Sequence, residues 1–362
     1  MSVCTPRCVI GNKNVGLLAW GRHSFVSNMN ETAPIKTVKL EDQLRGAIRL
    51  KHYSRKTEET YAGWYRRYVL WHGKRHPREM GAAEVEAFLT HLAVNRGVGA
   101  VSQNQALNAL VFLYREVLKI ELEGIEAKRA KQTRRLPIVL TTGEVGEVLK
   151  AVKGEHGLIC KLLYGCGLRV TEALRLRIKD VDLAGGKVEV RGGKGDKDRV
   201  IPLPKSLKQP LAEHRARVEQ MFAADRKAGL AGVTLPGAME TKHAGTGESW
   251  PWFWMFPGAG LSDDPRPSAN SGPGGTGVQR RHHLHEVGVS RELRRAAKLA
   301  SLSKRVTAHC LRHSYATHLL LRGVDIRSIQ ELLGHADVRT TEIYTQLARA
   351  MRGEITSPLD DL

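Results

Sequence analysis

The sequence predicts a mainly α-helical protein with a small antiparallel β-sheet, divided into a helical N-terminal domain and a larger mixed α/β domain. Three observations carry this. Apolar residues recur at helical spacing through most of the chain, whereas only two short runs, KVEVRG and DRVIPL, alternate like paired strands. An aperiodic basic run, EAKRAKQTRRLP, separates two periodic stretches. With 362 residues and 41% apolar composition, the chain is long enough to bury a core in each of two domains.

Residues 1–35 are expected to be a disordered N-terminal extension. The apolar piece VGLLAW has neither a signal-peptide h-region nor a small-residue cleavage site, and periodic sequence begins only after Met29. Residues 36–125 read as four helices: KLEDQLRGAIRL, SRKTEETYAGWYRRYVLWHG, GAAEVEAFLTHLAVNRG and SQNQALNALVFLYREVLK, with Ser54 and Ser102 as N-caps and Gly73 and Gly97 as stops. In the second helix Tyr61, Trp64, Tyr65 and Tyr68 fall at i, i+3, i+4 and i+7, a core stripe. The cations Arg55, Lys56, Arg66 and Arg67 are left to face a phosphate backbone. The basic run, 126–137, is an expected linker whose Arg134 and Arg135 can lie along phosphates, or else a solvated tether.

Residues 138–362 make the larger domain. Helices TTGEVGEVLKAV, HGLICKLLYGCG and RVTEALRLR precede the two strands, which Gly192, Gly193 and Gly195 punctuate around Lys194 as a hairpin. A long helix follows from PKSLKQPLAEH, then a Gly/Pro/Ser-rich stretch over 257–278 expected to be a flexible loop, then helices from about Ser290 to the end.

Composition narrows the function. Against 37 acidic residues stand 57 Lys and Arg, a formal charge of +20 and a pI near 10.0, which point to a polyanionic partner, nucleic acid first. A basic membrane-surface protein is the competing reading, but no apolar run approaches the roughly 20 residues that span a bilayer. The five cysteines are dispersed and odd in number, without CxxC pairs, so neither a disulfide framework nor a zinc site is indicated, and a cytoplasmic location fits.

The stretch TAHCLRHSYATHLL poses a problem of charge. Thr307 is a credible N-cap, yet the first turns carry His309, Arg312 and His313 where the helix dipole disfavours cations. Arg312 also shares a stripe with Ala316 and Leu319, so its guanidinium starts from an apolar face. A bound phosphate reverses both objections. Other cations sit at punctuated positions: Arg169 after YGCGL, Lys194 in the hairpin, and His335 after Gly334, which suits the end of a helix capped by Asp325; Tyr344 follows. Two guanidiniums can hold a phosphoryl-transfer transition state, a lysine can protonate a leaving alkoxide, and a phenol can attack if a neighbour accepts its proton. These motifs contain no carboxylate cluster for Mg²⁺, so no metal or other cofactor is expected.

GCGLRVTEALRLRIKDVD, GGKGDKDRVIPLP, HCLRHSYATHLLLRGVDIRSIQELLGH and TTEIYTQ resemble, in order and spacing, the motifs of the tyrosine recombinase (phage integrase) family. The resemblance runs from about Lys39 to Leu362 and implies a SAM-like core-binding domain followed by a tyrosine-recombinase catalytic domain. It implies that Arg169 and Arg312 bind the scissile phosphate, Lys194 protonates the leaving 5′ oxygen, and His309 serves in acid/base catalysis. His335 would orient the phosphate and Tyr344 would attack, giving a 3′-phosphotyrosyl intermediate.

Over a hundred residues separate the hairpin from His309, and within 236–300 stand ESWPWFWMFP and VQRRHHLHE. Trp250, Trp252 and Trp254 alternate, which places them on one side of an extended segment, either as a buried aromatic strand or as a stacking surface for bases. His282, His283 and His285 lack the further ligands of a metal site, and Arg280 and Arg281 make phosphate or base contact the more natural reading. Both motifs resemble the extra segment of integron integrases, which implies that Trp250, Pro257, His282 and His283 bind extrahelical bases of a folded attC hairpin recombined with duplex attI. The tail GEITSPLDDL, within 353–362, resembles that subfamily's too and implies docking onto a neighbouring protomer in a homotetramer on DNA, in a bacterial cytoplasm at the nucleoid. The rivals are a phage-type or Xer-like recombinase acting only on duplex sites, and a catalytically silent DNA-binding relative.

Overall fold

A computed structural model describes residues 39–125, 130, 136–192, 198–237, 239–264 and 278–352. The N-terminal extension, Lys194, Arg134, Arg135 and the tail 353–362 lie outside the described residues, as does most of the basic run. The chain divides into two compact units between Arg134 and Arg135.

The first unit is built on α1 (Leu40–Leu50), α2 (Arg55–Trp71), α3 (Ala82–Thr90) and α4 (Ala100–Phe112), with π-helical turns extending α3 over His91–Asn95 and α4 over Leu113–Leu118. Ser54 caps α2, accepting a hydrogen bond from the Thr57 amide at 3.1 Å, and Gly73 and Gly97 take positive φ beyond the second and third helices. The fourth helix departs from expectation. It begins at Ala100 with Gly99 as N-cap, which puts Ser102 inside the first turn instead of ahead of it. Trp64 and Tyr68 are buried, Tyr61 and Tyr65 pack half-buried against the same core, and the Tyr68 and Tyr114 hydroxyls meet at 3.0 Å, so the aromatic stripe is core. Glu58, 6% exposed, is held by Arg45 and Arg49 at 3.0 and 2.8 Å, which satisfies a carboxylate that could not otherwise sit at that depth.

The second unit starts with α5 (Thr142–Ala151), α6 (Gly154–Gly165) and the short α7 (Val170–Leu174). A three-stranded antiparallel sheet follows: β1 (Val181–Asp182), β2 (Lys187–Val190) and β3 (Arg199–Pro202), in spatial order β1-β2-β3, with Val190 opposite Arg199 at the hairpin end. Next come α8 (Lys205–Lys227), the single turn α9 (Met239–Lys242), strands β4 (Pro257–Asp263) and β5 (Gln279–His283), and helices α10 (Glu286–Leu299), α11 (Ala308–Leu321), α12 (Ile326–Leu333) and α13 (Arg339–Arg352). Two expectations change. The Gly/Pro-rich stretch is not a loop throughout, because its first seven residues form β4, paired with β5 from Pro257↔His283 to Asp263↔Gln279. The tryptophan run is not extended either: Trp250–Trp252 closes a 3₁₀ turn around Pro251, and only beyond it does Trp254 bridge to Arg177.

The core of this unit joins α5, α6, α8 and α10 to the three-stranded sheet through Val148, Ile159, Leu162, Val188, Ile201, Leu211 and Leu293. A smaller cluster gathers Ala316, Ile329, Leu333 and Tyr344 from α11, α12 and α13. No helix among the described residues is long and apolar enough to cross a membrane.

Candidate active site

Four elements converge on the N-terminal half of α11. Thr307 caps that helix, accepting from the Cys310 amide at 3.3 Å. Arg312, on its second turn, is 3% exposed and held from two sides: Nη1 donates to the Gly167 carbonyl and Nη2 to the Leu333 carbonyl, each at 2.5 Å. Nη2 also donates to His335 Nε2 at 3.1 Å. Both carbonyls are offered by deliberate backbone breaks. Gly167 has φ +62°, and a Cβ there would lie 2.4 Å from the Tyr315 ring; Gly334 ends α12 at φ +61°, capping the turn that presents Leu333. Asp325 fixes the other end of α12, accepting from the Arg327 and Ser328 amides.

Arg169 is the N-cap residue of α7 and half-buried. Its Nη1 donates to Glu172 Oε1 at 2.6 Å, its amide to Glu172 Oε2 at 2.8 Å, and its Nη2 reaches the Gly334 carbonyl at 3.5 Å. Glu172 also takes Arg199 Nη2 from β3 at 2.6 Å and lies 3.8 Å from Arg312, so one carboxylate organises three guanidiniums. Burial opposes its ionisation, but hydrogen bonds from Arg199 and Arg169 outweigh it and hold the carboxyl below the usual range. Arg199 Nε donates to the Leu332 carbonyl at 2.9 Å, tying β3 to α12. Neither Glu172 nor Arg199 stands out in the sequence, although Glu172 is three residues from Arg169 in RVTEAL, the spacing of a capping box.

The imidazoles are kept neutral. Burial, with Arg312 and Arg169 adding their charge, pushes His335 down to about 3. Because Arg312 donates to its Nε2, the proton belongs on Nδ1, which faces Thr341 Oγ1 at 3.0 Å. His309 keeps an exposed edge, yet the protein around its ring lowers its pKa, again with Arg312 and Arg169 contributing. Tyr344 is 1% exposed on α13, and burial raises its phenol pKa while Arg312 and Arg169 oppose the rise. Its hydroxyl does not meet His309. It meets His313 Nδ1, at 2.8 Å, with the His335 ring nearly parallel at 6.4 Å.

Of the six catalytic residues expected from sequence, Arg169, Arg312, His335 and Tyr344 are brought together and His309 flanks them, its ring 6.1 Å from that of His313; Lys194 lies outside the described residues. Arg312 commits three of its five N–H donors to the protein, which leaves two for an incoming oxygen. The arrangement can bind an anion between two guanidiniums beside a phenol whose hydrogen-bond partner is a neutral base.

The residues expected at DNA differ in their circumstances. Arg55, Lys56, Arg66 and Arg67 are exposed; Arg66 forks onto Glu41 at 2.8 and 2.6 Å, Arg55 pairs with Glu59, and Arg67 lies 4.7 Å over Trp64. Arg280 and Arg281 are turned inward. Arg281 forks onto Asp225 of α8 and donates to the Gly258 and Ala259 carbonyls, while Arg280 meets Glu240, Asp264 and the Gly232 carbonyl. They fasten the β4–β5 hairpin to its surroundings. Pro257 is buried, and His282 and His283 are half-buried, His283 facing the Leu284 carbonyl at 2.7 Å. Trp254 is buried under the Arg177 guanidinium, Trp250 is half-buried against Phe222 and Phe253, and the half-buried Trp252 has Lys179 Nζ 3.0 Å over its ring. The tryptophans therefore form no single stacking face.

The phage integrase family model matches residues 139–351, and the model of the phage integrase N-terminal SAM-like domain matches 40–124. The chain is 46% identical over 330 residues to an "Integrase/recombinase" of Escherichia coli, covering 91% of this chain and 95% of that one. It is 36% identical over 297 residues to tyrosine recombinase XerA of Thermococcus kodakarensis, covering 80% and 84%. Among solved structures, XerH recombinase bound to its palindromic difH substrate aligns with a TM-score of 0.58 at 20% identity, covering 88% of this chain and 85% of that one. A lambda integrase dimer bound to a core site aligns at 0.54 and 19%, covering 84% and 93%. Fold and relatives together define an enzyme of DNA strand cleavage and joining. The chain belongs to the phage integrase family, the tyrosine recombinases.

Proposed function

We propose that this tyrosine recombinase is an integron integrase, which exchanges strands between a folded single-stranded attC site and duplex attI. The observation that carries the catalytic reading is the convergence of Arg169, Arg312, His335 and Tyr344 at one place. Arg169 and Arg312 hold the scissile phosphate, His335 orients it, His309 takes part in acid/base catalysis, and Lys194 protonates the leaving 5′ oxygen. Tyr344 attacks phosphorus and is left as a 3′-phosphotyrosine. That ester conserves the bond energy, so a second 5′ hydroxyl rejoins the strands without ATP or a metal. The integron assignment rests on ESWPWFWMFP and VQRRHHLHE, whose residues line the anchored β4–β5 hairpin and the turn before it. Trp250, Pro257, His282 and His283 are its base-contacting positions, Arg55, Lys56, Arg66, Arg67, Arg134 and Arg135 contribute phosphate contacts, and residues 353–362 dock a neighbouring protomer in a tetramer.

The internal pairing of Arg280 and Arg281 favours a second reading, a recombinase of duplex sites alone, since both guanidiniums are occupied by carboxylates. Recombination assays with a folded attC bottom strand beside the same site as duplex separate the two. The integron reading expects the folded strand to be recombined at least about tenfold better, a difference of about 1.4 kcal/mol in transition-state stabilisation. Equal or better use of the duplex would sink it.

A further inference from the structure

We propose that His313 is the proton acceptor of the cleavage step, removing the phenol proton as Tyr344 attacks the scissile phosphate. This rests on the reading of Tyr344 as nucleophile and moves the base at the phenol from His309, where the family resemblance put acid/base catalysis, to His313, which it did not assign.

The geometry points to His313 alone among the imidazoles. Its Nδ1 is 2.8 Å from the Tyr344 hydroxyl, within the range for direct proton transfer, whereas His335 spends Nε2 on Arg312 and Nδ1 on Thr341. His309 shares a face of α11 with His313, four residues earlier, its ring 6.1 Å from that of His313, and makes no hydrogen bond to the Tyr344 hydroxyl, which His313 holds. Burial, then the neighbouring His309 and Arg312, push His313 down to about 4, so at neutral pH the ring is neutral, and the tautomer with its proton on Nε2 leaves Nδ1 as the acceptor facing the phenol. A phosphodiester between Arg169 and Arg312 offsets the cationic field acting on that ring and makes it more basic when substrate is in place.

In the step, the Tyr344 O–H bond breaks and the His313 Nδ1–H bond forms while oxygen bonds to phosphorus. The phosphorus–O5′ bond breaks, and the 5′ oxygen takes its proton from a separate donor. Rejoining runs in reverse, the His313 imidazolium returning its proton to the departing phenolate.

The test is His313→Asn. The Asn amide oxygen stands close to where Nδ1 stood and can still orient the phenol, but it cannot take up the proton. On a nicked suicide substrate, covalent adduct formation is expected to slow by about 100-fold or more, with DNA affinity and thermal unfolding close to those of the parent. A substrate with sulfur in place of the bridging 5′ oxygen, whose departure needs no proton, is expected to leave that defect in place. Parent-like cleavage by His313→Asn, or recovery on the sulfur substrate, would overturn the proposal, the latter by placing His313 on the leaving-group side. Tyr344→Phe run in parallel separates the two claims: an adduct formed by that variant contradicts the nucleophile and the base with it, whereas parent-like cleavage by His313→Asn with no adduct from Tyr344→Phe contradicts the base alone.

Discussion

Arg312→Ala is expected to reduce strand cleavage by at least 100–1000-fold while leaving most of the DNA affinity, in the range seen when one donor to a developing anion is removed. Affinity survives because the chain's 57 Lys and Arg spread phosphate contact widely, so the slope of log affinity against log salt should fall by only about one. The structure adds a second consequence. Arg312 satisfies the Gly167 and Leu333 carbonyls, and each orphaned buried acceptor costs about 1–3 kcal/mol, so the variant should also unfold at lower temperature. Arg312→Lys separates the effects: it keeps the charge but cannot fork to both carbonyls and still reach an oxygen, so cleavage should remain low. Single-turnover cleavage, a salt titration of binding and a thermal melt read all three. Cleavage within threefold of the parent in Arg312→Ala would remove this residue from the site.

Glu172→Ala is expected to have the largest effect on stability, about 3–5 kcal/mol, the usual cost of leaving a buried charge without its partner. Arg199, with a side chain only 9% exposed, would lose the fork that neutralises it, and Arg169 would lose both its side-chain tether and its capping bond. The Glu172 pKa is depressed on folding, so the stability it contributes is present at neutral pH and is lost as pH falls through the folded value, below the usual glutamate range of about 4. The gap between parent and variant in denaturant unfolding should therefore be widest near pH 7 and narrow in acid. A gap that stays below about 1 kcal/mol at neutral pH would show that the three guanidiniums do not depend on this carboxylate.

Local chemistry was legible in the sequence. The two-domain plan, the hairpin strands, the caps Ser54, Thr307 and Asp325, the αL turn at Gly334 and the aromatic stripe of α2 all follow from signals within a few residues of one another. Pairings across long separations were not. β4 hides in a Gly/Pro-rich composition because its partner β5 begins beyond the stretch that looks like a loop. Arg280 and Arg281 look like free cations until Asp225, Asp264 and Glu240 are brought beside them. Glu172 gains its importance from Arg199, 27 residues away, and His313 from Tyr344, 31 residues away. His313 carried a visible clue, since it stands four residues after His309 and so on the same face of α11, but its target could not be read from spacing.

On the proposed mechanism this constellation makes a covalent bond to DNA through one phenol. The direct measurement is to trap the protein on a nicked suicide substrate in the presence of EDTA, digest the adduct and map the nucleotide-bearing peptide by mass spectrometry. A 3′-phosphate on Tyr344 is expected, formed without added metal and absent from Tyr344→Phe. An adduct at another residue, one that survives Tyr344→Phe, or cleavage that requires a divalent cation would contradict it.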